Sequence, residues 1–127
     1  MNEYRLQLFL EMGVKIPERS LSYDNWRLVS CSPNLTEEFI REFKEELIWY
    51  EISAYQNLSI DFLNEFKNRI DWSVYFCLKE KDFQVMKKFI TKAESLQFRN
   101  IETSHLNEQQ KQELLKILKF KSLFNQI

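Results

Sequence analysis

The sequence predicts an all-α protein: short helix-pair repeats stacked as a small α-solenoid-like array with capping helices at the N- and C-termini. Three observations predict it. The 127 residues include 1 glycine and 2 prolines against 11 Phe, 5 Tyr and 3 Trp. Hairpin-rich sheets call repeatedly for residues at φ > 0, a demand that one glycine does not meet. Trp26, Trp49 and Trp72 recur every 23 residues, a self-similarity of the kind that repeat architectures produce. Thr36, Ser59 and Asp82, all good helix N-caps, recur at the same spacing, and each can satisfy an orphan amide of a first helical turn. The length fits one domain over 1–127. Within it, 1–22 is an N-terminal cap helix and loop, 23–94 holds three 23-residue units with the third degenerate, and 95–127 is a loop and a C-terminal amphipathic helix.

At the N-terminus, Glu3 to Met12 carries Leu6, Phe9, Leu10 and Met12 and stops at Gly13, a residue suited to a helix C-terminal cap. The repeat follows. Asn34-Leu35-Thr36-Glu37-Glu38-Phe39-Ile40-Arg41-Glu42-Phe43-Lys44 lies over Asn57-Leu58-Ser59-Ile60-Asp61-Phe62-Leu63-Asn64-Glu65-Phe66-Lys67, with Val29-Ser30 over Ile52-Ser53 and Leu47 over Ile70. The third copy keeps Asp82, Val85, Met86 and Phe89 at the matching phases. Leu35 with Ile40, and Leu58 with Leu63, have the spacing of a hydrophobic staple. Phe39, Ile40, Phe43 and Leu47 form an apolar helical stripe, which predicts a first helix of about eleven residues per unit. A second helix begins near each Trp, capped by Asn25 and Asp71, and runs about two turns through Val29 or Ile52. Residues 14–22 and 97–105 read as loops, and Asn107 to Phe120 as a last amphipathic helix with Leu114, Leu115 and Leu118 on its apolar side. Leu123, Phe124 and Ile127 beyond it either close the core or form a dimer seam.

Several function classes are disfavoured at this level. Phosphate loops and dinucleotide fingerprints need several glycines. No apolar run approaches the ~20 residues that span a bilayer, so no membrane association is expected. The N-terminal Met1-Asn2-Glu3-Tyr4-Arg5 does not resemble a secretory signal, and a cytoplasmic, reducing environment is the expectation. The total charge of −1 hides an asymmetry: residues 1–71 carry 8 basic and 13 acidic side chains, residues 72–127 carry 10 and 6. The chain is expected to be a charge dipole.

The run from Trp26-Arg27-Leu28-Val29-Ser30 to Leu35-Thr36-Glu37-Glu38-Phe39-Ile40-Arg41-Glu42-Phe43 resembles the short Trp-x-x-Ile-Ser and Leu-Ser-x-x-Phe-Ile-x-x-Phe helical repeats of large phages and giant viruses. The likeness covers 26–72 well and 73–93 poorly, where Tyr75-Phe76 replaces Ile-Ser and Lys81 replaces the staple leucine. It implies a viral origin, hence the host cytoplasm, and an architecture rather than a chemistry.

No catalytic, cofactor-binding or metal-ligating constellation is read from the residues. The Trp series and the phenylalanines are locked to the repeat phase and read as core. His105 is the sole histidine, lies in a polar loop, and has no strained Gly-x-Ser-x-Gly turn to serve. The informative positions are charged. Glu42 and Glu65 become Lys88, Arg41 and Asn64 become Lys87, and Glu46 and Arg69 become Lys92 at equivalent phases. A graded surface of this kind orients a partner electrostatically. The candidate partner-binding residues are therefore Lys79, Lys81, Lys87, Lys88, Lys92, Arg41, Glu42, Glu45, Glu46, Glu65 and Arg69. The expected function is a non-catalytic protein-interaction module, in its concrete form a small phage-encoded inhibitor of a host or antiviral-defence protein such as a CRISPR-type component. The alternative is a nucleic-acid-binding or nucleic-acid-mimicking regulator, acting through the basic second half or the acidic first.

Cys31 and Cys77 lie two repeat periods apart. With neighbouring helices ~8–10 Å apart, two layers exceed the ~7 Å Cα separation that a disulfide spans. An intact-mass measurement after alkylation without reductant is expected to show two modified thiols, and an intramolecular disulfide would break the register.

Overall fold

A computed structural model describes residues 2–12, 22–33, 35–93 and 97–125, with side chains described as far as 120. Eight α-helices follow in order: α1 (Glu3–Glu11), α2 (Tyr23–Ser30), α3 (Glu37–Glu42), α4 (Trp49–Tyr55), α5 (Ile60–Glu65), α6 (Trp72–Leu78), α7 (Phe83–Phe89) and α8 (Glu108–Asn125), with 3-10 turns at Ile90–Lys92 and Phe98–Asn100. Among the described residues there is no strand. The chain divides into two compact units, Met1–Ile70 and Asp71–Ile127.

In the first unit α1, α2, α3 and α5 each start on a short polar side chain that caps them. The side chains of Asn2, Thr36 and Ser59 accept from the amides of Arg5, Phe39 and Phe62 at 2.8, 3.0 and 3.1 Å. For α2 the expected cap moves: Ser22 is the N-cap, and Asn25 is the third helical residue, returning a bond to the Ser22 amide at 3.3 Å. That reciprocal box satisfies two orphan amides where Asn25 alone would satisfy one, so the helix begins a turn earlier than the sequence suggests.

The expected eleven-residue helices are also shorter. Both α3 and α5 span six residues and end where Phe43 and Phe66 leave helical dihedrals, at φ −104°, ψ 21° and φ −108°, ψ 24°. The chain then turns: Glu46 and Leu47 donate to the Phe43 carbonyl at 3.0 and 2.9 Å, and Arg69 and Ile70 to that of Phe66 at 2.8 and 3.1 Å. A continued helix would use the Lys44 carbonyl internally. Instead it accepts from the Trp49 indole at 2.9 Å and from Arg69 at 3.0 Å.

The break puts each unit's aromatics in one layer. Phe39 and Phe43 meet at 4.6 Å between centroids and 35° between planes, and Phe62 and Phe66 at 4.6 Å and 38°. Trp26 packs on Phe43 at 5.6 Å and Trp49 on Phe66 at 5.3 Å. From α1, Phe9 adds edge contacts to Phe39 and Phe43 at 5.2 and 5.0 Å. Leu8, Phe9, Val29, Leu35, Phe39, Ile40, Phe43, Leu47, Ile52, Phe62 and Phe66 form one buried cluster, with Trp26, Trp49 and Leu58 against it. The repeated Val/Ile-Ser pair has a structural cause. Ser30 and Ser53 are buried, and each hydroxyl donates to the Trp carbonyl four residues before it at 2.7 Å. Ser30 also accepts from the Ile48 amide at 2.9 Å, at the start of α4, whose N-cap has no side-chain acceptor of its own. Buried Gln56 completes the join, donating to the carbonyls of Ser30 and Ser32 at 2.9 and 2.8 Å.

In the second unit the Trp-over-Phe contact recurs, with Trp72 stacked on Phe89 at 5.0 Å and 17°. The predicted core positions Val85, Met86 and Phe89 are buried, and α7 continues into the 3-10 turn at 90–92, whose Ile90 is also buried. The last helix, α8, packs on α7 and on that turn, burying Leu114. It starts one residue later and runs five residues further than expected. Its entry is capped reciprocally by Asn107 and Gln110, at 2.8 and 3.0 Å. The expected 97–105 loop contains the turn Phe98–Asn100 and is tied down where the Glu102 amide donates to the Phe76 carbonyl at 2.9 Å. The expected cap at Gly13, residues 14–21 of the first loop, and Ile127 lie outside the described residues, as do the side chains of Leu123 and Phe124.

Because Gln56 serves the carbonyl of buried Ser30 as well as the part-buried one of Ser32, replacing it with Leu strands the buried acceptor. A buried unpaired acceptor costs about 1–3 kcal/mol. Gln56→Leu is expected to lower unfolding free energy in urea by about 2 kcal/mol or more, whereas exposed Asn57→Ala stays within about 0.5 kcal/mol.

Candidate functional site

The charged residues singled out from the sequence separate into two groups. In the first unit they pair with one another or with Arg5. Arg5 meets Glu42 at 3.1 Å and Glu46 at 2.7 Å, its guanidinium 4.2 Å from the Phe43 ring centre. Arg41 meets Glu65 at 3.0 Å and lies 5.3 Å from the Phe62 ring centre. Arg69 meets Glu45 at 2.7 Å and lies 5.9 Å from that of Trp49. Each arginine thus lies over an aromatic ring and also holds a carboxylate, a combination that suits its planar fork better than a lysine ammonium. The Arg69 contact lowers the pKa of Glu45 below the usual carboxylate value. Beside these pairs, Glu37 accepts from the Ser59 amide at 2.8 Å and hydroxyl at 2.9 Å, linking the start of α3 to the cap of α5. On the other side, the Tyr4 hydroxyl donates to Glu38 at 2.5 Å, and this bond pushes the phenol pKa up to about 12. The structure therefore brings Arg41, Glu42, Glu45, Glu46, Glu65 and Arg69 into internal pairs that join α1 to α3, α3 to α5, and the turns that follow α3 and α5. The Arg41 and Arg69 pairs are exposed and so contribute little to stability, whereas those of Arg5 are partly buried.

The second unit carries lysines at the same phases, and the outcome differs. Lys87 rests over Phe83 at 4.9 Å and Lys88 near Phe89 at 5.6 Å. Among the described residues, neither these nor Lys92 is in an ion pair. Lys81 stands at the staple-leucine phase and is half-buried. Its stem takes the apolar role, and its ammonium lies 4.3 Å from the Tyr75 ring centre. Burial, and secondarily the Lys79 charge, pulls the Lys81 pKa down to about 8, and burial pushes that of Tyr75 up to about 12. Lys79 itself closes α6 as its C-terminal cap.

The remaining reactive residues are engaged in structural contacts. His105 bonds the Lys81 backbone carbonyl through Nε2 at 2.7 Å. The Cys31 thiol donates to Glu51 at 3.2 Å, and burial followed by this bond pushes its pKa up to about 11. A thiol held protonated is a poor nucleophile and metal ligand. Both cysteines are free. Among the described residues, no group of three His, Cys, Asp or Glu is placed to hold a metal, and no helix is long and apolar enough to cross a membrane. The residues that sequence reasoning passed over are Arg5, whose partners lie 37 and 41 residues away, and Gln56. Only a three-dimensional neighbourhood identifies either one, because neither belongs to the repeat signature. Compared with family models, curated proteins and solved structures, the chain matches none.

The lowered Lys81 pKa gives a signed pH dependence. The unfolded ammonium holds its proton to about 10.5, whereas the folded one begins to lose it near 8. Across this interval the unfolded state binds more protons, so stability rises with pH. Cys31, raised to about 11, offsets part of this gain above the ordinary thiol value near 9, and Tyr4 and Tyr75, both raised to about 12, reverse the trend above the ordinary phenol value near 10. The wild type is expected to gain unfolding free energy between pH 7.5 and 9.5. Lys81→Met removes that gain and is the more stable protein at pH 7.5, as chemical denaturation at both pH values will show.

Proposed function

We propose that the chain is a non-catalytic protein-interaction module, built on helix-pair repeats of the α-solenoid kind with α1 and α8 as caps. One observation carries this reading. The first unit neutralises its charged repeat positions internally, whereas at the same phases the second unit places lysines with no carboxylate against them. The fold places Lys87 and Lys88 in the last turn of α7 and near aromatic rings but, among the described residues, sets no carboxylate against them, and a partner of opposite charge would. The recurrence of the Ser, Trp and Phe contacts from one helix pair to the next supports the repeat architecture. The resemblance to phage and giant-virus repeats supports a specific form of the proposal: a small inhibitor of a host or antiviral-defence protein, for example of CRISPR type, acting in the host cytoplasm. A second reading, a nucleic-acid-binding or nucleic-acid-mimicking protein, draws on the same lysines. Their chemistry favours it less, because bidentate phosphate and base contacts are the work of arginine.

The test is affinity capture with the tagged chain from lysates of candidate hosts. The expected outcome is one host protein co-eluting in a fixed ratio. Failure to retain any protein reproducibly, with the bait shown to be helical by circular dichroism, overturns the proposal.

A further inference from the structure

Lys81 occupies a position that the repeat otherwise gives to leucine. At the same phase Leu35 is buried, and Leu58 packs partly buried against the core of the first unit. The lysine is likewise half-buried, with its ammonium 4.3 Å from the ring centre of buried Tyr75. Its backbone is held from two sides. His105 bonds the Lys81 carbonyl through Nε2 at 2.7 Å, and the neighbouring Asp82 carboxylate accepts from the Gln84 amide at 2.9 Å to cap α7. Little around the ammonium favours its charge. A ring face attracts a cation by only about 0.5–1 kcal/mol at exposed sites, and the Tyr75 phenol, pushed by burial up to about 12, stays neutral. Among the described residues Lys81 is in no ion pair. Asp82 serves α7, Glu80 is exposed, and Lys79 adds a like charge. An ammonium so placed gives up its proton early, and its pKa falls to about 8, through burial first and Lys79 second. Lys87 and Lys88 also lie near rings, but in the last turn of α7, where a helix favours cations.

We propose that Lys81 is an acylation site, the lysine of this chain that an acyl thioester modifies first. The reaction needs the free amine. Its lone pair attacks the thioester carbonyl carbon, the C–S bond breaks with its electron pair leaving on sulfur as thiolate, and one N–H proton passes to water. The product is a neutral amide at Nζ. It removes a charge that the fold accommodates poorly and leaves the stem at its apolar position. An ammonium has no lone pair to give, so the rate near neutral pH follows the fraction of free amine. For an amine titrating near 8 that fraction is roughly a hundredfold above that of a lysine with the ordinary value near 10.4. Weaker basicity and the half-buried stem offset part of the gain, leaving an advantage of about tenfold. This inference does not depend on the interaction reading.

The experiment incubates the full chain with acetyl coenzyme A at pH 7.5 and follows acetylation of each lysine by peptide mass spectrometry. Exposed Lys44 and Lys67 are the internal references. Lys81 is expected to react about tenfold faster than either in the folded chain. In unfolding urea the three rates are expected to agree within about twofold, because the advantage comes from the fold and not from the local sequence. With rising pH the Lys81 rate is expected to level off once pH exceeds about 8, while those of Lys44 and Lys67 keep climbing toward the ordinary lysine value. Lys79→Glu replaces the like charge with an opposite one. With helix content checked by circular dichroism, it is expected to slow Lys81 about threefold or more and to leave Lys44 unchanged. Equal or slower reaction of Lys81 in the folded wild type overturns the proposal. A preference for Lys81 that persists undiminished in urea overturns it as well, since burial then has no part in it.

Discussion

A helix of six residues does not hold itself together in water, because nucleation is unfavourable and isolated helices shorter than about 12–15 residues are marginal. This constraint governs the first unit, where α3 and α5 are both of that length. Helix starts at α1, α2, α3 and α5 are capped locally, and several other helix ends are met from a neighbouring element. Ser59 caps α5 and is itself held by Glu37 of α3. The carbonyl released after α3 is taken by Trp49 and Arg69, and the start of α4 is met by Ser30 of α2. The aromatic layers supply the burial energy, since each fully buried Phe contributes on the order of 2–3 kcal/mol. The polar joins determine where each short helix starts and stops. Neither is sufficient alone, so order in this unit is cooperative across layers.

That cooperativity explains what sequence reasoning reached and where it stopped. The caps at Thr36, Ser59 and Asp82 were legible because capping is local, decided within three residues. The core positions were legible because the stripe has helical period and the layers repeat it. The break at Phe43 and Phe66 was not legible, since Phe39, Phe43 and Leu47 match an unbroken helix equally well. What ends the helix is capture of the Lys44 carbonyl by donors 5 and 25 residues away. The displacement of the α2 cap from Asn25 to Ser22 has a different origin: both residues are good caps, and the pair forms the reciprocal arrangement only with serine outside and asparagine three residues in. The extension of α8 beyond Phe120 was missed because Lys119, Phe120 and Lys121 break the apolar period without breaking helix propensity, and Lys and Phe both continue a helix at small cost.

Among the candidate residues, the sequence identified charge at the right phases and left its pairing open. Arg41 and Arg69 were read with Glu42, Glu45, Glu46 and Glu65 as a surface available to a partner. Their geometry makes them joins within the unit, Arg41 over Phe62 of the next layer and Arg69 over Trp49 of its own. The difference is one of range. Partners at i,i+4 can be seen on a helical wheel, whereas Arg41 to Glu65 and Arg69 to Glu45 span 24 residues. That distance is one repeat plus one residue, so the repeat does contain the rule once a single layer is known.

The same rule gives the lysines of the second unit their meaning. Where an arginine lies over a ring and grips a carboxylate, it serves both the layer below and the surface. Substituting lysine keeps a cation near the ring, as with Lys87 and Phe83, but loses the fork that would fix an acid beside it. The segment also lacks the acids that occupy these phases in the first unit. The two changes together leave Lys87, Lys88 and Lys92, among the described residues, without the carboxylate partners that the first unit supplies. The core phases are constrained by packing throughout, and the outward phases of 83–92 are where this chain departs from its own repeat.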